Sequence, residues 1–429
     1  MSDSGTPHSR TSGKISRGNL MKAIGPGILV SCAAVGGSHL VWSTRAGAQF
    51  GWALVGLILL ANLFKFPFFL YGQRYSAATG ESLLAGYLRA GRGYLWVFLL
   101  MNVLTGMINI AGVGMLAGAL LAGYGLEAVS VSTLTIVILI ACMLLMLLGR
   151  YKILDGFSKL VMGILAISTV AATIFAMAKG HVAAPDFVGP SPWNWASFGF
   201  LVTLLGWMPA PIDLSAWASL WMFSREKQTG HMATVRESSI DFYLGYGMAV
   251  FLAIVFVTLG KYVMFGSGHE FSDSGIAFSR QLVNLYSASI GDWSRLLILT
   301  AAFVTMLSTT LTCIDGYPRS LAASCTLLWK LPEGSFRRIH NAWIVLSVLV
   351  AGFVIVFFVK NLMQLLVFAS ALSFLTSPVL AYINLKVMRG PNVPEKNRPG
   401  LVLMIISVTG LAFFGLMSVG YVYTQFIRG

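Results

Sequence analysis

The sequence predicts an all-α polytopic membrane protein of about eleven transmembrane helices, built as a five-plus-five inverted repeat with broken helices 1 and 6. Three observations predict it: the balance of apolar to charged residues, the recurrence of long uncharged runs, and two spans whose middles cannot be continuous helix. Hydrophobic residues make up 57% of the chain and charged residues 10%, with a mean hydropathy of +0.79. An ordinary soluble domain carries roughly one-quarter charged residues, and a soluble fold could not cover this much apolar surface.

Largely uncharged runs recur near 24–46, 52–73, 95–122, 129–149, 153–178, 195–222, 241–264, 296–318, 341–359, 362–385 and 400–425. Each is close to the roughly 20 residues that cross a hydrocarbon core as a helix. The spans group into a first repeat at about 23–180, a second at about 193–387 and an added helix at 400–426, so that 23–429 form one transmembrane domain. Residues 1–22 are polar and run straight into a full-length span, unlike a secretory signal, and are expected to be a disordered cytoplasmic tail. Between spans the longest stretch runs from Phe265 to Trp293 and is rich in Gly, Ser and acidic residues. Cys32, Cys142, Cys313 and Cys325 fall in or near apolar runs, with no CxxC pair and no histidine ligand pattern. They read as buried thiols, and no cofactor is expected.

The formal charge of +14 would suit a nucleic-acid partner, but its placement excludes that reading. Basic residues alternate between loops. Arg10, Lys14, Arg17 and Lys22 precede the first span, Arg74, Arg89 and Arg92 follow the second, and Arg150 and Lys152 follow the fourth. Arg225, Lys227 and Arg236 follow the sixth, Arg319, Lys330, Arg337 and Arg338 the eighth, and Lys386, Arg389, Lys396 and Arg398 the tenth. The opposite loops hold only Lys179, Lys261, Arg280, Arg295, Lys360 and Arg428. By the positive-inside rule the N-terminus is expected in the cytoplasm and the C-terminus outside. Membrane lipids are the first partner, in the inner membrane if the chain is bacterial.

The first span carries Gly36-Gly37-Ser38-His39 at its middle, a poor helix interior. The sixth carries Met208-Pro209-Ala210-Pro211-Ile212-Asp213, where two prolines remove donors and clash with the preceding turn. Lipid cannot satisfy the freed backbone groups, so such breaks are buried in protein or line a wet cavity. One break alone reads equally as a kink; two, five spans apart, are what an inverted repeat with a midplane solute site would give.

Intramembrane ionisable residues are costly and therefore functional candidates. His39, Arg45, Lys65, Lys159 and Asp213 are the deeper ones, with Asp155, Asp241 and Asp315 nearer the span ends. His39 and Asp213 sit at the two breaks and are expected to flank the solute site, with Arg45 about two turns outward. Alternatively, they only lock the broken helices together. An Arg45–Asp213 ion pair would be strained, because the second halves of the two spans run in opposite directions. His39 titrates near neutral pH and suits proton coupling, or it satisfies carbonyls freed at the break. Lys65, between Phe64 and Phe66, is expected to snorkel or to pair with an acidic residue. Trp42, Trp207 and Trp217 near the breaks are expected to pack against lipid or core or, alternatively, to stack on an organic solute.

At the two broken spans the chain resembles the Nramp family of proton-coupled divalent-metal transporters. The residues that carry the resemblance are Gly25-Pro26-Gly27, Ala46-Gly47-Ala48-Gln49-Phe50-Gly51 and Met208-Pro209, with Ser308-Thr309-Thr310-Leu311-Thr312 in the eighth span. It implies the inverted-repeat fold with one added helix, alternating access and transport of a divalent cation of the manganese, iron or magnesium class, with protons as a possible coupling partner. The departures are specific. The family's Asp-Pro-Gly-Asn metal motif falls on Gly36, Gly37, Ser38 and His39, and its Met-Pro-His on Met208, Pro209 and Ala210. Its third-span acidic residues have no counterpart between Leu99 and Leu121, and its tenth-span glutamine falls near Ser370.

Gly36, Gly37, Ser38, His39, Met208, Ala210 and Asp213 are therefore the expected substrate-binding set. Met208, Asp213 and His39 are the candidate ligands for a softer metal site. A nearby Arg45 would oppose a cation, whereas half-helix N-termini with Ser38, His39 and Arg45 would suit a small anionic or polar organic solute. No nucleophile, base and orienter arrangement is present, so enzymatic chemistry is not expected.

Overall fold

The structure is a computed structural model and describes residues 16–148, 151–184, 186–359 and 361–425. Among the described residues every long element is a helix. The first repeat contains α1 (Arg17–Ala23), α2 (Pro26–Ala34), a π-helical turn (Ser38–Ser43), α3 (Thr44–Phe50), α4 (Val55–Thr79), α5 (Leu83–Ala90), α6 (Arg92–Ala122), α7 (Val131–Leu147) and α8 (Tyr151–Lys179). The second contains α9 (Trp195–Trp207), α10 (Leu214–Thr229), α11 (Val235–Met264), α12 (Gly275–Ile290), α13 (Arg295–Leu328), α14 (Phe336–Phe357), α15 (Leu362–Leu375) and α16 (Ser377–Met388), and α17 (Leu401–Tyr423) follows it.

Among the described residues seven helices are long and apolar enough to cross a membrane, and the bent pair Pro26–Ala34 and Ser38–Phe50, which turns by 45°, makes an eighth candidate. Shorter apolar helices at Val131–Leu147, Gly163–Lys179 and Trp195–Trp207 occupy the places of the fourth, fifth and sixth predicted spans. Two expectations change. Residues 1–15 of the expected tail lie outside the described residues, but its end is the helix Arg17–Ala23 rather than unstructured chain. The long stretch after Phe265 is not all loop, because Gly275–Ile290 is a helix.

The helix ends follow local chemistry. Ser82, Ser130, Asn194 and Asn361 each accept a backbone N–H in the first turn, and Thr234 with Glu237 forms a reciprocal capping box. Gly80 and Gly230 end α4 and α10 in the left-handed region, where a side chain would be strained. The core is centred on α6 against α13. Around it α11 packs along α2, the π-helical turn and α3, while α4 packs on α10 and α15 on α9. Each broken span is thus braced by an unbroken helix from the other repeat, the arrangement expected of an inverted repeat.

Candidate functional site

Close approach of backbones shapes the first break. α2 begins at Gly25-Pro26-Gly27, and its free amides point at Asp241 of α11: Gly25 N donates to Oδ1 at 2.9 Å and Gly27 N to Oδ2 at 2.5 Å. A carboxylate at a helix N-terminus satisfies orphan donors and complements the helix dipole. Gly27 is required by proximity, because a Cβ there would lie 2.4 Å from the Asp241 carbonyl oxygen. The Gly-Pro-Gly signature is therefore a docking element, and Asp241 is its receptor.

After Ala34 the chain unwinds and resumes as the π-helical turn at Ser38. A Cβ on Gly36 would meet Thr309 Oγ1 at 2.8 Å, and one on Gly37 would meet the Trp207 ring at 2.6 Å. The room that a carboxylate side chain would need at position 36 is taken up by Thr309. Ser38 Oγ is hydrogen-bonded to the Ala34 carbonyl and lies 2.6 Å from His39 Nδ1. His39 Nε2 donates to the Ala249 carbonyl of α11 at 2.8 Å, and the ring packs edge-on to Phe256. Both ring nitrogens are thus engaged, and the histidine fastens the first span to α11.

The second break follows from Pro209 and Pro211, which stop α9 at Trp207 and free its last carbonyls. Lys65 of α4 satisfies them. Its side chain is fully buried, and Nζ donates to Leu205 O at 2.7 Å, Gly206 O at 2.9 Å and Ala210 O at 2.9 Å. Three carbonyl acceptors around one nitrogen use all three protons of an ammonium. Asp213, 2% exposed, lies close enough to Lys65 to interact with it electrostatically. Its Oδ2 accepts from Thr105 Oγ1 at 3.3 Å, and Oδ1 has no hydrogen-bond partner.

The two breaks border one small cavity of about 30 Å³, roughly the room of a single water. Ala33, Ala34, Gly37 and Ser38 line it from the first span, and Trp207, Pro209, Ala210, Pro211, Leu214 and Trp217 from the sixth. Asn109 and Val113 of α6 and Thr309, Cys313 and Tyr317 of α13 complete the wall. Asn109 organises the polar part. Its Nδ2 donates to Tyr317 OH at 2.7 Å and to Ser373 Oγ at 3.0 Å, and its Oδ1 accepts from Trp207 Nε1 at 3.0 Å. The Trp217 ring sits edge-on to Tyr317, with centroids 4.5 Å apart, and close against Gly316, where a Cβ would meet the ring at 2.4 Å. One turn beyond, Trp221 Nε1 donates to Asp315 Oδ2 at 3.0 Å, and Arg319 holds the same carboxylate at 2.9 and 2.6 Å.

Of the expected binding set, Gly37, Ser38 and Ala210 line the cavity; Gly36, His39, Met208 and Asp213 do not. Met208 is completely buried. Among the described residues no group of three or more His, Cys, Asp and Glu side chains could hold a metal ion. The possible Arg45–Asp213 ion pair is not formed. Arg45 instead feels Asp273 and Glu270, because α3 carries it outward while α10 runs the other way. Ser370 donates to the Thr203 carbonyl at 2.5 Å and ties α15 to α9 rather than lining the cavity. The side chains of Asp155 and Lys159 lie outside the described residues.

Lys65 does not snorkel: it is bound to the freed carbonyls, with Asp213 as its acidic neighbour, and of the tryptophans near the breaks Trp207 and Trp217 are both buried and on the cavity wall. Asn109 went unnoticed, although it and Asn102 are the two amides of a largely apolar third span, which was the available signal.

Comparison with known proteins gives the following. The family described as "Natural resistance-associated macrophage protein-like" (Nramp) matches residues 27–424. An uncharacterized protein of Pasteurella multocida is 40% identical over 408 residues, covering 94% of this chain and 92% of that protein. The divalent metal cation transporter MntH of Lacticaseibacillus casei is 25% identical over 256 residues, covering 57% of this chain and 54% of that one. Among solved structures, a manganese transporter of Eremococcus coleocola superposes with a TM-score of 0.68 at 15% identity, covering 97% of this chain and 90% of that one. MhsT in complex with L-phenylalanine superposes with a TM-score of 0.62 at 13% identity, covering 93% of this chain and 97% of that one.

Proposed function

Because the chain belongs to the Nramp family, we propose that it is an integral-membrane secondary transporter that carries its solute through the cavity between the two broken helices by alternating access. The observation that carries this reading is the cavity itself, bordered by residues of both breaks and of α6 and α13. Interrupted helices braced by unbroken ones are the elements that rock in such folds, around a site near the midplane. The N-terminus in the cytoplasm and the C-terminus outside follow from the distribution of basic residues.

The relatives named for divalent-metal and manganese transport make a divalent cation the family's reading of the solute, although Met208, Asp213 and His39, the residues expected to ligate it, lie off the cavity wall. Protons are the matching coupling ion. One observation favours a second reading, a small anionic or polar organic solute. The side chains on the wall are neutral: aromatic rings, hydroxyls, one amide, one thiol and prolines. A hard divalent cation wants several oxygens with at least one carboxylate, whereas rings with a few placed polar groups suit an organic solute.

Uptake into proteoliposomes of radiolabelled manganese and of radiolabelled lactate and benzoate, each alone, tests the transport reading. One of them is expected to enter saturably, and Ala210→Trp, which places an indole in the cavity, is expected to reduce that uptake by at least about tenfold. Uptake unchanged in a folded Ala210→Trp protein would refute passage through this cavity.

A further inference from the structure

We infer that an apolar groove between α4, α9 and α17 is a lipid site, which holds one acyl chain of an outer-leaflet phospholipid with its phosphate at the level of Lys261. The inference rests on the membrane-spanning reading of these helices and goes beyond the transport reading, since it is independent of the solute.

The groove follows from the packing of the sixth span. α9 leans on α15 and α17, and α4 on α17, so that α17 bridges two helices whose starting ends leave a space between them. That space measures about 680 Å³, within the size range of ligand sites. Leu57 and Leu60 of α4, Phe198 and Leu201 of α9, and Phe413 and Met417 of α17 line it. No charged side chain is on its wall.

The surroundings say what fills it. Leu59 and Leu63 of α4 and Leu416 and Val419 of α17 are exposed beside the groove, which makes it continuous with the surface that meets the bilayer core. From Trp195 to Leu201, α9 rises about 9 Å, more than half of one leaflet's share of a roughly 30 Å hydrocarbon core. At the mouth stand Trp193 and Trp195, both exposed, as amphipathic rings do at headgroup depth. The distribution of basic residues puts this end outside. Lys261 Nζ lies 3.6 Å from the centre of the Trp52 ring, and Trp52 directly precedes Ala53 on the groove wall. A cation thus sits at the level of the mouth, where a lipid phosphate would complement it. A seated chain would fill the gap between α4 and the half-helix α9, whose other end borders the central cavity at Trp207.

Gly56 provides the test, because it lines the groove and a Cβ there would meet nothing within 4 Å. Gly56→Phe therefore fills the groove with the protein's own ring. The purified full-length protein, stripped of lipid in detergent, is titrated with dioleoylphosphatidylglycerol under native mass spectrometry, and the thermal midpoint is followed in parallel. The parent is expected to bind one phospholipid saturably, ahead of any others, and to rise in midpoint. Gly56→Phe is expected to weaken that first step about tenfold or more, with a lipid-free midpoint no lower than the parent's, and Lys261→Gln to weaken it about fivefold. Absence of a saturable first step in the parent, equal affinity in Gly56→Phe, equal affinity in Lys261→Gln, or a dimer that Gly56→Phe dissociates, which would make a second copy of the chain the occupant, would each overturn the assignment. Leu60→Trp, on the same wall, carries the comparison if Gly56→Phe fails to fold.

Discussion

Replacing Lys65 with methionine is expected to destabilise the protein by about 3–9 kcal/mol, since three carbonyls buried in the membrane interior lose their donor at once and each unsatisfied group costs about 1–3 kcal/mol. The same change leaves Asp213 without its neighbouring cation. Lys65→Gln, which restores two N–H groups, is expected to fall between the parent and Lys65→Met. Thermal unfolding in detergent, read by the loss of the monodisperse species, provides the comparison. A midpoint for Lys65→Met equal to that of the parent would mean that water satisfies these carbonyls and that the lysine does not close the break.

The second large effect is expected at the other broken span. Asp241→Asn keeps the shape of the side chain but turns one of two acceptors into a donor opposite the Gly25 and Gly27 amides. The lost charge-assisted hydrogen bond and the unpaired amide together amount to about 2–4 kcal/mol. Asp241→Glu is expected to fare no better. The longer side chain cannot reach back without moving α2, which sits so close to α11 that a Cβ on Gly27 has no room. Retention of full stability in Asp241→Asn would show that α2 is held by packing alone.

These two residues form a complementary pair. An anion on the second repeat caps the N-terminal end of the first broken span, and a cation on the first repeat caps the C-terminal end of the first half of the sixth. Both placements follow the helix dipole. Such matched caps hold the unwound segments open without lipid contact, which is what a cavity between them needs.

Much of this fold was legible in the sequence, because solvent decides it. Largely uncharged runs of about 20 residues have one stable state in a bilayer, and Gly36-Gly37 and Pro209-Ala210-Pro211 break helices for local reasons. The site was legible only in part. Gly37, Ser38 and Ala210 lie on the cavity wall because they are at the breaks themselves, and position along the chain was enough to find them. His39 and Asp213 were nominated for their charge, but which way a side chain points from an unwound segment depends on partners far away in sequence, such as Ala249 and Thr105. Lys65 illustrates the same limit. An isolated lysine beside two phenylalanines looks like a snorkelling residue until the packing of α4 on the sixth span brings three carbonyls to its nitrogen. The family's metal motif is replaced by residues that fit tight backbone packing at the first break, and this too is visible only once Thr309 and Trp207 are seen against Gly36 and Gly37.

The claim that the cavity opens alternately to the two sides is tested most directly through Cys313, a native thiol on its wall. With Cys32, Cys142 and Cys325 replaced by alanine, a membrane-impermeant thiol reagent is applied to one side of oriented vesicles at a time, and modification of Cys313 is measured by mass. The account predicts modification from each side in separate experiments, slowed from both by Ala210→Trp. Modification from one side only, or from neither in a folded protein, would contradict it.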